Sequence, residues 1–254
     1  MSRPGIVAMP NNMMQTAQLP EQKKVAIMQP YFFPYIGYFQ LISAVDVFVI
    51  YDNIKYTKKG WINRNRILQQ ERDRVISLPL KHASDFLDVC ERELADNFDA
   101  GKLLNQIKAA YQRAPYFKQV FPLIESILKN DQLNLFHFLH NSIVKTCNYL
   151  GIQTKIIPSS GIDIDHTLKN QDKVLAICQA VRGTHYLNPI GGLELYSNEY
   201  FLFKNIQLHF IQSDLRVYPQ FGREFVPWLS IIDIMMFNAI DDIADYLDKG
   251  YTLL

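Results

Sequence analysis

The sequence predicts an α/β fold: a Rossmann-like parallel sheet with a helical insert and a helical C-terminal cap. Short apolar runs alternate with helical patterns at both ends of the chain, which is typical of a parallel sheet. Between these two regions, residues of about 98–150 show a helical pattern and predict the insert. We therefore expect a disordered leader at 1–22 and one α/β domain at 23–254.

The composition is that of a globular protein and excludes several classes of function. Of the 254 residues, 26 are Lys or Arg and 25 are Asp or Glu, so the chain lacks the basic excess of a general nucleic-acid binder. No apolar run approaches the roughly 20 residues of a transmembrane helix. The widely spaced Cys90, Cys147 and Cys178 favour free thiols in a reducing cytoplasm over a disulfide framework.

The first unit is predicted to be a βαβ motif. The apolar runs Val25–Met28 and Val47–Ile50 are typical of buried strands, and Tyr38–Ala44 between them predicts a helix. Ligands of open parallel sheets bind at the carboxyl ends of the strands. The two loops that follow these strands, Gln29–Gly37 and Asp52–Asn63, are therefore candidate binding loops.

The later elements are predicted from the same patterns. Two segments joined by polar residues resemble a hairpin, and the insert is expected to hold three helices. Strands are then predicted to alternate with helices as far as a helical tail. In chain order, these are the hairpin Asn65–Leu68 and Arg74–Leu80, the insert helices within Phe98–Leu150, the strand Thr154–Ile157, the helix Asn170–Val181, the strand His185–Leu187, the helix Leu193–Phe203, the strand Gln207–Gln212 and the tail Phe225–Leu247.

The loop after the first strand is the most unusual segment. It crowds five aromatic residues into the eight positions from Tyr31 to Tyr38. A glycine at the start of the next helix would let the backbone approach a ligand, whose phosphate would meet the positive end of that helix. The alternative is an aromatic-rich turn of the core. We favour binding, with the candidate residues Gln29, Pro30, Tyr31, Tyr35, Gly37 and Tyr38.

The loop after the second strand surrounds a tryptophan with positive charge. Five Lys and Arg residues lie between Lys55 and Arg66. These side chains bind phosphates, and an indole ring stacks on a base or a sugar. An exposed hairpin surface is the alternative interpretation. The candidate binding residues here are Lys58, Lys59, Trp61, Asn63 and Arg64.

A third candidate loop follows the predicted strand His185–Leu187 in the second half of the chain. Asn188, Gly191 and Gly192 suit a phosphate or nucleotide, although a plain turn explains them equally well. The sequence predicts no metal site and no nucleophilic triad.

Three segments together resemble the WbqC-like family: Met28–Phe39 (MQPYFFPYIGYF), Trp61–Asn65 (WINRN) and Pro227–Asp233 (PWLSIID). The resemblance covers about residues 23–240. This family is found in bacterial gene clusters for O-antigen and other surface polysaccharides, and its members are described as glycine or aminoacyl transferases acting on an amino sugar. The resemblance implies a transferase whose partners are a nucleotide-linked amino sugar and an activated acyl donor. The attacking amine of this reaction must lose a proton, and His185 is our first choice of base and Asp52 the second. It is compatible with a homo-oligomer.

The first βαβ unit is also similar to nucleotidylyltransferases and pantothenate synthetases, which hold ATP phosphates with a His-x-Gly-His loop. Gly37 matches the glycine of that loop, but Tyr35 and Tyr38 stand at the histidine positions. A tyrosine does not become a cation. Two alternatives stay open: an ATP-dependent ligase or nucleotidylyltransferase, for which ATP and Mg²⁺ would be the cofactors, and a non-catalytic protein that binds a nucleotide-linked sugar.

Overall fold

A computed structural model describes residues 22–222 and 224–254. The predicted leader at 1–22 lies outside the described residues, except for its last residue. Within the described part the structure has eight strands: β1 (Lys24–Met28), β2 (Val47–Ile50), β3 (Arg64–Gln69), β4 (Arg72–Ser77), β5 (Lys155–Pro158), β6 (His185–Pro189), β7 (Gln207–Ser213) and β8 (Tyr251–Leu253). The same residues form eight α-helices: α1 (Ile36–Ser43), α2 (Ala100–Tyr111), α3 (Phe117–Leu128), α4 (Leu135–Tyr149), α5 (Asn170–Ala180), α6 (Asn198–Phe203), α7 (Ile231–Phe237) and α8 (Ile240–Lys249).

Six of the strands form the central sheet, in the order β5-β2-β1-β6-β7-β8. All neighbouring pairs are parallel except β7 and β8, which are antiparallel. The prediction of an α/β fold with a mostly parallel sheet is confirmed. The strand β8 was not predicted, because three residues at a sheet edge leave no periodic pattern.

Helices cover both faces of the sheet, which explains the continuous apolar runs of its central strands. Ala26 and Phe48 pack into one core with α1, α7, α8 and the insert helices α2 to α4. Val25 and Val47 pack into a second core with α5 and α6. Alternate residues of each strand thus enter opposite cores, so nearly every position must be apolar.

The strand order reverses between β1 and β6, and this reversal positions the candidate site. The chain goes from β1 to β2 on one side, and the later strands β6 and β7 lie on the other. Loops that leave the carboxyl ends of β1 and β6 therefore turn in opposite directions and open a crevice between them.

The hairpin and the C-terminal region differ in detail from their predictions. The hairpin β3–β4 turns at Gln70 and Glu71, which both have positive φ (54° and 60°), as a tight two-residue hairpin turn requires. The predicted helix Leu193–Phe203 is a 3₁₀ segment, Ile190–Leu195, followed by α6. Ser197 starts this helix by accepting a hydrogen bond from the backbone N–H of Tyr200.

The helical tail begins later than predicted. Pro227 and Trp228 are not helical, and α7 starts after Ser230, whose hydroxyl accepts a hydrogen bond from the N–H of Ile232. Trp228 has a φ of +59°, which is incompatible with a right-handed helix. The predicted single helical tail is therefore two helices, α7 and α8, preceded by an extended segment.

Candidate functional site

A cleft of about 390 Å³ opens where the carboxyl ends of β1, β6 and β7 meet the start of α1. Five of its lining side chains are tyrosines or tryptophans, and we call it the aromatic cleft. Both tryptophans of the chain line it. The lining residues are Met28, Tyr31, Pro34, Tyr35, Gly37, Tyr38, Leu41, Trp61, Asn65, Arg66, Pro189, Ile190, Ile211, Gln212, Ser213 and Trp228.

The segments Met28–Phe39, Trp61–Asn65 and Pro227–Asp233 supply much of the cleft lining, and Asn65 joins the first two of them. Its buried amide nitrogen donates to the carbonyl oxygens of Phe32 (3.0 Å) and Phe33 (2.8 Å). Its amide oxygen accepts from the backbone N–H of Arg66 at 2.8 Å. The β3 segment is thereby fixed against the loop that follows β1.

Ser230 joins the third segment to the other two. Its hydroxyl donates to the Phe33 carbonyl oxygen at 2.8 Å, and its backbone N–H donates to the Arg66 carbonyl oxygen at 2.8 Å. The next N–H, of Ile231, donates to the carbonyl oxygen of Pro34 at 2.9 Å. Segments separated by more than 150 residues in sequence thus meet in one hydrogen-bonded frame.

Two bulky residues of this frame adopt the left-handed backbone conformation. Phe33 has a φ of 41° and Trp228 a φ of 59°. A non-glycine residue held in a sparsely populated region costs on the order of 1–3 kcal/mol and persists only where its surroundings fix it. Here the hydrogen bonds from Asn65 and Ser230 to the Phe33 carbonyl fix one of them. Such strain clusters at functional sites.

Arg66 supplies the positive charge of the aromatic cleft. Its guanidinium lies over the Trp61 ring at 5.5 Å from the centroid. It pairs with Asp73 (3.2 Å) and donates to the Trp228 carbonyl oxygen (3.1 Å). Its Nε is buried and has no hydrogen-bond partner among the described residues. We did not select Arg66 from the sequence, although it lies two residues after Arg64 and hence on the same face of β3.

The predicted residues of the first loop divide into two groups. Tyr31, Tyr35, Gly37 and Tyr38 line the cleft, whereas Gln29 and Pro30 do not. Gln29 instead offers its carbonyl oxygen to the Tyr38 hydroxyl at 2.9 Å. A Cβ at Gly37 would collide with the Ser213 hydroxyl, so this glycine lets α1 approach the end of β7.

Of the five residues predicted from the second loop, the structure brings only Trp61 to the aromatic cleft. Lys58 forms an ion pair with Asp85 at 2.8 Å, and Lys59 is exposed. Arg64 donates to the Gly60 and Lys59 carbonyl oxygens at 3.0 and 2.6 Å.

Asn63 also has a structural position in that loop. Its oxygen accepts from the Tyr56 hydroxyl and its nitrogen donates to the Leu78 carbonyl oxygen, both at 2.8 Å. Arg64 and Asn63 therefore shape the loop from within. The sequence pattern does not distinguish Trp61, which lines the cleft, from the other four residues, which do not.

Neither predicted base lies in the cleft. His185 is the first residue of β6, at the amino end of the strand and therefore opposite the cleft, where it stacks on His209 with ring centroids 5.5 Å apart. Asp52 is buried at the end of β2 and accepts hydrogen bonds from Ser159 and from the backbone and hydroxyl of Ser160. Asp52 thus ties β2 to the segment after β5.

The glycine-rich loop after β6 packs on itself. The Asn188 amide accepts from the Tyr186 hydroxyl at 3.2 Å and donates to the Pro189 carbonyl oxygen at 3.1 Å. A Cβ at Gly192 would collide with this amide, so the glycine is needed for packing. Gly191 is exposed, and none of Asn188, Gly191 and Gly192 lines the aromatic cleft.

Burial keeps the tyrosines of the cleft protonated. It raises the pKa of Tyr31, of Tyr38 and of Tyr35, where the Tyr246 hydroxyl at 3.4 Å adds to the effect. These phenols are therefore protonated at neutral pH, and Tyr38 already donates its proton to the Gln29 carbonyl oxygen. Among residues 22–222 and 224–254, no three His, Cys, Asp or Glu side chains group as metal ligands.

A buried carboxylate fixes the helix α7, in which the third segment of the frame ends. Asp233 accepts hydrogen bonds from the hydroxyls of Tyr111 (2.9 Å) and Tyr218 (2.7 Å) and from the amide of Gln220 (2.7 Å). Burial outweighs these bonds and raises its pKa. Because Asp233 lies in α7, this network holds the helix that follows Ser230.

Apart from Met28, all three segments of the frame fall within a region that matches a known family. Residues 29–245 match the model of the WbqC-like protein family. The chain belongs to this family. A relative in Mycobacterium tuberculosis (strain ATCC 25618 / H37Rv), the uncharacterized protein Rv1507c, is 29% identical over 228 residues, which are 89% of this chain and 97% of the relative.

No solved structure matches the chain. None of the helices in its described part is long and apolar enough to span a bilayer.

Proposed function

We propose that this WbqC-like protein is a transferase that binds a nucleotide-linked amino sugar in the aromatic cleft. It would join an acyl or aminoacyl group, such as glycine, to the amine of the sugar during synthesis of a bacterial surface polysaccharide. One observation carries the proposal: both tryptophans and three tyrosines line the crevice at which the strand order reverses.

The cleft has the groups that a nucleotide-linked sugar requires. Flat rings at Trp61 and Trp228 suit a base or a sugar, and such stacking contributes about 1–3 kcal/mol per base. Arg66 lies beside both tryptophans and carries the buried unpaired Nε, which suits a diphosphate. The start of α1, at Ile36 and Gly37, adds the positive end of a helix. This combination supports the finer classification of the sheet as Rossmann-like and nucleotide-binding.

The proposed chemistry is direct attack of the amine on an activated acyl donor. The nitrogen–carbon bond forms, the bond from the acyl carbon to the leaving group breaks, and the amine proton goes to water or to the leaving group. The Tyr31 hydroxyl, which burial keeps protonated, would donate a hydrogen bond to the developing oxyanion. The identity of the donor is left open among an acyl carrier, an aminoacyl-tRNA and an acyl-adenylate.

The cleft favours a non-catalytic sugar-binding protein over an adenylating enzyme as the second candidate. Its described lining contains no carboxylate and no imidazole, which favours a protein that binds the sugar without turnover as the second candidate. An adenylating enzyme is less well supported. The positions of its two histidines are taken by Tyr35 and Tyr38, whose hydroxyls interact with Tyr246 and the Gln29 carbonyl oxygen.

Calorimetric titration with UDP- and dTDP-linked amino sugars and with Mg²⁺-ATP tests the proposal. We expect the sugars to bind and ATP not to bind. Mass spectrometry of the sugar after incubation with glycyl donors then separates a transferase, which adds the mass of an acyl group, from a binding protein, which adds nothing. Binding of ATP with no binding of either sugar would contradict the proposal.

A further inference from the structure

A second cavity, of about 440 Å³, lies between the loop after β2 and the segment after β4. We call it the polar cavity. Its charged lining residues are Lys58, Lys81, Asp85 and Arg92, and His82 also lines it. It shares no lining residue with the aromatic cleft. Its charged lining therefore needs an explanation separate from the proposed function.

Arg92 is the unusual residue of the polar cavity. It is only 4% exposed, and its guanidinium lies 4.6 Å from the centroid of the Tyr56 ring. Its Nε and Nη2 are buried and have no hydrogen-bond partner within the described residues. Buried donors without partners are unfavourable, and a guanidinium presents them in a planar fork that matches a phosphate or a carboxylate.

An acidic side chain already stands at the mouth of the polar cavity. Asp85 contacts the Lys58 ammonium at 2.8 Å and lies 4.0 Å from the Arg92 guanidinium. Its contact with Lys58 lowers its pKa, so it is an anion at neutral pH. Its side chain is 60% exposed, which leaves it free to swing outward.

The remaining cation of the cavity is already neutralised. Lys81 contacts Glu93 and Asp96, each at 2.9 Å. These two acidic partners raise its pKa to about 12. An incoming anion would therefore be held by Arg92 and Lys58, the two cations that Asp85 now faces.

We infer that the polar cavity is a binding site for a phosphoryl group, with Arg92 as its main ligand and Lys58 at its rim. The phosphoryl group displaces Asp85, which acts as an internal competitor. The group is either free phosphate or the end of a phosphate monoester. This site is independent of the aromatic cleft and of the transfer reaction proposed there.

Calorimetric titration of the full chain with inorganic phosphate tests this inference. We expect saturable binding that Arg92→Met weakens at least tenfold and that Asp85→Asn strengthens several-fold, because the competing charge is gone. Arg113→Met is the matched control, since Arg113 is an exposed arginine that also lies over an aromatic ring, and it should bind as the wild type does.

Two further measurements keep the test decisive. If Arg92→Met does not fold, Lys58→Met, at an exposed position, should still weaken phosphate binding several-fold. Glycerol 3-phosphate replaces inorganic phosphate in a parallel titration: tighter binding assigns the site to a monoester, and weaker binding assigns it to free phosphate. Absence of binding of both compounds to Asp85→Asn, or unchanged binding by Arg92→Met, would overturn the inference.

The inference and the proposed function fail in different ways. Trp61→Ala should leave phosphate binding unchanged while weakening that of the nucleotide-linked sugar. Phosphate should also bind with the same affinity when the sugar is saturating. Loss of phosphate binding in Trp61→Ala would place the anion in the aromatic cleft and overturn the second site.

Discussion

The aromatic cleft and the polar cavity have similar volumes, about 390 and 440 Å³, but they differ in lining: aromatic rings dominate the first and charged side chains the second. In the frame of the cleft, hydrogen bonds from Asn65 and Ser230 hold strained backbone in place. In the polar cavity, two donor atoms of Arg92 are left unpaired. The first site is therefore preorganised for stacking, whereas the second presents donors that an anion would pair.

The largest effect is expected from breaking the frame at Asn65. Asn65→Ala removes two buried hydrogen bonds to carbonyl oxygens and one to an N–H. We expect the free energy of unfolding to fall by about 2–4 kcal/mol, because each lost bond contributes roughly 1 kcal/mol and leaves a buried partner unpaired. Urea denaturation measures this change.

Asn238→Ala is the matched control for that prediction. Its half-buried amide makes one bond, to the carbonyl oxygen of Ile234 in its own helix. A loss of about 1 kcal/mol is expected. Equal losses in both variants would show that Asn65 has no special part in the frame.

Binding in the aromatic cleft should depend on its rings. Trp228→Ala and Trp61→Ala should each reduce the binding free energy of the nucleotide-linked sugar by about 1–3 kcal/mol, as measured by calorimetry. Phe86→Ala, which removes an 81% exposed ring outside the cleft, is the control and should have no effect. Unchanged affinity in both tryptophan variants would remove the stacking role.

Trp228→Gly separates stability from binding. Glycine accepts the φ of +59° without strain. The free energy of unfolding of this variant should therefore exceed that of Trp228→Ala by about 1 kcal/mol in urea denaturation. It should bind the sugar no better than Trp228→Ala does. A glycine variant less stable than the alanine variant would show that the backbone is not strained there.

The approach of α1 to β7 gives a smaller effect. Gly37→Ala places a methyl group against the Ser213 hydroxyl and should destabilise the protein by about 1 kcal/mol or more. The double variant Gly37→Ala/Ser213→Ala should recover that loss, because the colliding atom is removed. Thermal unfolding of the four proteins of this cycle checks the coupling, and additive effects would argue against the contact.

The smallest effect is expected at His185. This residue lies at the amino end of β6, away from both cavities. His185→Ala should bind the sugar and the phosphate as the wild type does, as measured by calorimetry. A tenfold loss of sugar affinity would mean that the site extends across the sheet.

The sequence predicted most of the fold because the central strands are buried on both faces and leave continuous apolar runs. Its aromatic density also singles out the loop from Tyr31 to Tyr38, and three tyrosines of that loop line the aromatic cleft. Arg66 and Arg92 were not selected, because their importance comes from tertiary contacts. For example, Arg92 lies far in sequence from Lys58 and meets it only across a cavity. Local patterns carry no information on such approaches.

Tryptophan fluorescence tests the central claim most directly, because both tryptophans of the chain line the aromatic cleft. Titration with a UDP- or dTDP-linked amino sugar should change the emission saturably, with the affinity that calorimetry gives. Inorganic phosphate should bind without changing the emission. Sugar binding that is seen by calorimetry but leaves the tryptophan emission unchanged would contradict the assignment of the cleft.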